Sequence, residues 1–132
     1  PVDCVIGSAT IRKLSKEEKR AYRGPFPSSK SKCGIRALPG LVPSSPYDKE
    51  SIANFSAWES LGKWEKPFLT IFSNSDPITH GGDKYLQSRI PGAAGQEHVR
   101  LDAKHFIQED HGTELTDIIN RFSKRTACGF GQ

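Results

Sequence analysis

The 132-residue sequence contains no methionine, not even at position 1. Translation needs an initiator, so the chain is expected to be a processed product or a piece of something longer. No run of about 18 apolar residues occurs, so no membrane span is expected. The amino end, Pro1-Val2-Asp3-Cys4-Val5-Ile6, lacks the basic region and long apolar core of a signal peptide. Cysteine is scarce. Cys4, Cys33 and Cys128 are odd in number and have no CxxC spacing, so they read as reduced thiols of a cytoplasmic protein rather than a disulfide or zinc framework. His80, His98, His105 and His111 share no metal-ligand spacing, and HExxH is absent, so no metal centre is expected. Gly81-Gly82 lacks the Lys-Ser/Thr of a phosphate loop.

What is present suits an ordinary globular chain: 35% hydrophobic and 26% charged residues. A chain of this length is one domain, able to bury roughly two-thirds of its unfolded surface. The 19 Lys and Arg are scattered among 15 acids, giving +4, and aromatic residues do not interleave with a basic stripe. That balance describes a solvated surface, and no nucleic-acid partner is expected.

In chain order, Ser15 with Glu18 three residues on is a capping-box signature, and Leu14 stands where a hydrophobic staple belongs. The helix must stop before Gly24-Pro25-Phe26-Pro27. Five prolines from Pro25 to Pro46 exclude a long regular element there, leaving a short helix near residues 31–37 in a structured, apolar loop. Ile52, Phe55, Trp58 and Leu61 recur at close to a helical period, and Gly62 follows at the C-cap position. Trp58 and Trp64 read as core residues. Residues 68–72 have the continuous β-rich composition of a buried parallel strand, ending in the turn cluster Ser73-Asn74-Ser75-Asp76-Pro77. A short helix over 83–90, a second strand over 97–101 and a helix over 112–124 follow, with 126–132 as a frayed tail. The alternation predicts an α/β fold with parallel strands and flanking helices. Two strands alone are marginal, which again suggests part of a larger fold.

Both strands run into polar residues, the first at Asp76 and the second at His105. Parallel neighbours put both on one edge of the sheet, where open α/β folds carry their sites. An aspartate there can accept the imidazole N–H and fix its tautomer, freeing the other nitrogen to deprotonate water. Spacing alone leaves the ordinary alternatives open: Asp76 as a turn former and His105 as a structural histidine.

Residue identity narrows the choice. LSKEEKRAYRGPFPSSKSKCGIRALPGLVP (from Leu14), KPFLTIFSNSDPITHGG (from Lys66) and HFIQED (from His105) resemble, in unbroken order, the late cap segment, acid loop and histidine loop of haloalkane dehalogenases. The resemblance implies the C-terminal part of an α/β-hydrolase fold preceded by part of a helical cap. The implied division is 1–47 as the end of the cap, 48–125 as core and 126–132 as tail. In that family an aspartate displaces halide to form an alkyl ester, which a histidine-activated water hydrolyses to the alcohol, without metal or cofactor. Carried over, His105 is the base and Asp76 its acid. Ile35, Leu38, Pro39 and Val42 match pocket positions of the cap, and Ile78 and Phe106 match pocket positions of the core. The expected partners are a small haloalkane, water and halide, with a monomeric whole protein. No G-x-D-x-G or G-x-S-x-G turn occurs, so the nucleophile is expected outside this sequence, and the 132 residues alone are expected to be inactive. Lys104 departs from the small residue that usually precedes the histidine. An epoxide hydrolase or serine esterase of the same fold is the alternative, although Tyr22 and Tyr47 match no epoxide-polarising context. From another class, a non-catalytic binding module is the alternative.

Overall fold

The fold is a computed structural model that describes residues 1–127. Cys128 and most of the expected tail lie outside the described residues. Seven α-helices and two short strands occur among the described residues: α1 (Val2–Ser8), α2 (Lys16–Arg23), α3 (Cys33–Ala37), α4 (Lys49–Leu61), β1 (Ile71–Ser73), α5 (Gly82–Arg89), β2 (Val99–Leu101), α6 (Ile107–Asp110) and α7 (Gly112–Ala127). None is long and apolar enough to cross a membrane.

The helix-start chemistry is realised at α2. Ser15 Oγ accepts the Glu18 N–H at 3.1 Å, and a Glu18 carboxylate oxygen accepts the Ser15 N–H at 2.6 Å. Leu14 is buried beside it. α1 forms from a stretch whose apolar pattern is too weak to announce a helix. Tertiary pairing supports it: Arg23 at the end of α2 makes two bonds of 2.6 and 2.7 Å to the buried Asp3 carboxylate. Short 3-10 turns flank α3, in keeping with the prolines around it.

The strands pair in parallel, with Ile71, Phe72 and Ser73 opposite Val99, Arg100 and Leu101. β1 is shorter than its composition suggests and begins later. The preceding residues engage the turn after α5 instead: Gly92 N–H donates to Trp64 C=O at 2.7 Å, and Phe68 N–H donates to Gly92 C=O at 2.9 Å. A Cβ at position 92 would lie 1.9 Å from the Lys66 carbonyl oxygen, so only glycine fits this close approach. Thr70 N–H donates to His98 Nδ1 at 3.1 Å, and His98 Nε2–H donates to Ala93 C=O at 2.9 Å. His98 is thereby a structural staple between the segments that lead into the strands.

The core is small and centres on Leu14, Ile90, Ala93, Leu101, Ala103 and Ile118. α7 turns Ile118 inward, while Ile119 is 47% exposed. Two expectations need correction. Neither tryptophan is in the core: Trp58 is half-buried, edge to face against Tyr85, and Trp64 is 43% exposed in the loop beyond α4, where its carbonyl accepts the Gly92 N–H. Thr126 and Ala127 are helical rather than frayed, the Thr126 hydroxyl donating back to Phe122 C=O.

Candidate active site

Strand pairing delivers the site. Past β1 and β2 the backbones stay bonded: Asn74 N–H to Leu101 C=O at 2.8 Å and Ser75 N–H to Ala103 C=O at 3.0 Å. One residue further on each side stand Asp76 and the Lys104–His105 corner. Asp76 is 5% exposed, and its Oδ2 and Oδ1 lie 3.1 and 3.2 Å from His105 Nδ1. The Asp76 carboxylate also accepts the Ile78 N–H at 2.9 Å on Oδ1 and the Thr79 hydroxyl on Oδ2. Burial pushes this carboxyl up, but Thr79, Ile78 and His105 together outweigh it and hold its pKa at about 2. A carboxylate ionised at all ordinary pH values therefore faces Nδ1, which donates to it. Nε2, on the far edge of the ring, is then the acceptor.

The imidazole lines a cavity of about 580 Å³ whose other walls are Val5, Ser8, Ala9, Ser75, Pro77, Ile78, Lys104 and Phe106. The lining is mainly apolar, and Asp76 lies behind the ring. The rings of Phe106 and His105 meet edge to face, with centroids 5.2 Å apart. Of the sequence-predicted residues, the fold brings His105, Asp76, Ile78 and Phe106 together. It does not bring Ile35, Leu38, Pro39 and Val42 to this cavity. All four are exposed, on α3 and the loop that follows it. Tyr22 donates its hydroxyl to Glu109, and Tyr47 is 88% exposed, so neither reaches the cavity.

Several participants are invisible in the motifs. Thr79 could have been found, since Asp-x-x-Thr after a strand favours local side-chain bonds to an aspartate. The wall from α1 could not, because only the fold carries Val5, Ser8 and Ala9 to Ser75, Pro77, Ile78 and the His105 loop, all distant in sequence. Two of the other histidines are engaged elsewhere, His98 as above and His111 between Asp102 C=O at 2.9 Å and Glu114 at 3.1 Å, and His80 is exposed. Among the described residues, no group of three or more His, Cys, Asp or Glu is arranged to hold a metal ion.

A buried carboxylate bonded to an imidazole at the carboxyl ends of parallel strands, beside an apolar cavity, is an arrangement that can fix the ring's tautomer and leave Nε2 free to accept a proton. No family model matches the chain. Among curated proteins, it is 49% identical over 119 residues to a haloalkane dehalogenase of Mycolicibacterium paratuberculosis, covering 90% of this chain and 40% of that protein. It is 47% identical over 126 residues to haloalkane dehalogenase 1 of Mycobacterium tuberculosis (96% and 42%). It is also 47% identical over 118 residues to a haloalkane dehalogenase of Psychrobacter cryohalolentis (89% and 39%). By sequence, the chain is a relative of the haloalkane dehalogenases along nine-tenths of its length. It spans about 40% of the length of the curated relatives it matches.

Proposed function

We propose that the chain supplies the base, the acid and part of the pocket of a haloalkane dehalogenase with an α/β-hydrolase fold. The observation that carries this is the His105–Asp76 pair, 3.1 Å apart beside an apolar cavity, in a sequence 49% identical to a dehalogenase. The pair alone would equally serve an epoxide hydrolase or an esterase. The sequence similarity favours the dehalogenase.

On this reading residues 1–47 end a helical cap and 48–125 belong to the core. An aspartate outside these residues attacks the halogen-bearing carbon. The carbon–halogen bond breaks, halide leaves with the electron pair, and an alkyl ester forms. His105 Nε2 then takes a proton from water, whose oxygen attacks the ester carbonyl. The acyl–oxygen bond breaks, the alkoxide takes the proton from His105 and leaves as the alcohol, and the aspartic acid that remains loses the water's second proton to solvent, restoring the carboxylate. Asp76 keeps the ring proton on Nδ1 and stabilises the transient imidazolium, and such base catalysis contributes about 10²–10⁴-fold. Apolar walls at Ile78 and Phe106 desolvate the attacking carboxylate and admit a small alkyl halide. Ile35, Leu38, Pro39 and Val42 join the pocket once the remaining fold is packed against them. The whole protein acts as a cytoplasmic monomer with haloalkane and water as its small-molecule partners and no cofactor.

The test is halide release from bromobutane by the full-length protein. Sustained release that His105→Ala reduces to a single turnover is expected. No release, or release indifferent to His105, overturns the proposal.

A further inference from the structure

We propose that Asp110 is a positioning residue for His105, a role that rests on reading His105 as the base. The histidine sits between two backbone residues held from outside its own loop. Before it, Lys104 C=O accepts the Ser73 hydroxyl at 2.6 Å, and Lys104 N–H donates to Asp110 Oδ2 at 3.2 Å. After it, Phe106 N–H donates to Ala9 C=O at 3.1 Å. Both peptide groups of the residue preceding the base are thus tied to side chains, one from β1 and one from α6.

Asp110 does more than hold Lys104. Its Oδ1 accepts the N–H of Ile11 at 2.9 Å and of Arg12 at 3.0 Å, and its Oδ2 shares the Ile11 N–H at 3.0 Å. One carboxylate therefore collects amides from the histidine loop and from a segment 98 or more residues away. Bonds from amides to an ionised carboxylate are about twice as strong as neutral ones. That distant segment leads out of α1, which contributes Val5, Ser8 and Ala9 to the cavity wall. The neighbouring Glu109 reinforces the joint: its carboxylate accepts from Arg12 at 2.7 Å and from the Tyr22 hydroxyl. Arg12 in turn reaches Glu18 of the α2 capping box at 2.8 Å. The base and the wall facing it are therefore registered to each other through Asp110.

Asp110 acts as an acceptor only. Asparagine of the same shape turns an N–H₂ toward at least one of these amides, opposing donor to donor, and the joint opens at either Lys104 or Ile11. The His105 Nδ1 contacts of 3.1 and 3.2 Å are already long, so a displacement of about half an ångström takes them out of bonding range. The expected injury is confined to the water-attack step, because ester formation does not use His105.

The experiment is rapid-mixing halide release with bromobutane, in the full-length protein and its Asp110→Asn variant. The expected result is a first-turnover burst of unchanged amplitude, a steady rate lowered by about ten- to a hundredfold, and a KM that falls as ester accumulates. A merely structural role lowers burst and steady rate together and leaves KM alone, and that outcome overturns the proposal, as does a steady rate within about twofold of the original. Asp117→Asn, exposed on α7, makes the same charge change and should alter neither phase. If Asp110→Asn does not fold, Asp110→Glu keeps the charge, moves the carboxylate by one methylene and carries the same expectation. No halide from the unmutated protein overturns the reading of the His105–Asp76 pair itself, and the positioning role falls with it.

Discussion

Replacing Asp76 with asparagine removes a single charge yet should disable the base through its tautomer. Ile78 N–H donates to Oδ1 at 2.9 Å, so the oxygen of an asparagine stays there and its N–H₂ takes the place of Oδ2. That N–H₂ then faces His105 Nδ1 at 3.1 Å, nearer than the retained oxygen at 3.2 Å, and favours an accepting Nδ1. The ring proton moves to Nε2, the nitrogen that has to take a proton from water. In a serine-protease triad the same substitution costs about 10⁴-fold in kcat. With bromobutane as substrate, steady halide release should fall by about 10³–10⁴-fold, or roughly 4–5.5 kcal/mol of barrier, while the first-turnover burst remains. Nitrogen-15 NMR of the histidine ring should show the proton on Nδ1 in the unmutated protein and on Nε2 in the variant. A loss of less than about tenfold, or a ring that keeps its Nδ1 proton in the variant, would show that Asp76 does not set the tautomer of His105.

Three further outcomes follow from the same geometry. Gly92→Ala places a Cβ 1.9 Å from the Lys66 carbonyl oxygen and forces apart two backbone bonds of 2.7 and 2.9 Å. It should lower stability by about 2–4 kcal/mol in urea unfolding, and an unchanged midpoint would contradict the close approach. His98→Phe leaves Thr70 N–H without its acceptor and should cost about 1–3 kcal/mol, with faster hydrogen exchange at the Thr70 amide as the specific sign. The Asp76 carboxyl is held at about 2 against an ordinary 3.8, so it contributes stability that is fully present above the unfolded value. That contribution, about 2 kcal/mol, is lost as pH falls through the folded value. Stability measured from pH 5 downward should therefore drop less steeply in Asp76→Asn, and parallel curves would count against the shift.

Much of this architecture is legible in local chemistry. The Ser15–Glu18 box starts α2 as expected, the prolines confine α3, and the runs ending at Asp76 and His105 form adjacent parallel strands. What is not legible depends on distant partners. α1 has a weak apolar pattern and is secured by the Asp3–Arg23 pair. β1 loses its expected first half because Gly92 draws residues 64–68 into a different set of bonds. The apolar run at Phe68 and Leu69 announces burial but not which backbone it will meet. At the site, Asp76, His105, Ile78 and Phe106 lie on loops set by strand pairing, and their proximity follows from the order of the strands. Asp110 reads as an ordinary acid in HFIQED, and only the return of Ile11 and Arg12 gives its carboxylate three amides to hold. The exposed Leu38 and Val42, 63% and 70% accessible, are apolar side chains in a position that sequence alone cannot assign to wall or surface.

In the proposed mechanism His105, oriented by Asp76, activates water against an alkyl ester formed elsewhere in the protein. Its most direct test is mass spectrometry of the full-length His105→Ala variant after mixing with bromobutane. One butyl group per protein is expected, esterified to an aspartate and persisting because no base remains to hydrolyse it. Failure to trap any alkyl adduct, or continued conversion to butanol in the variant, would contradict it.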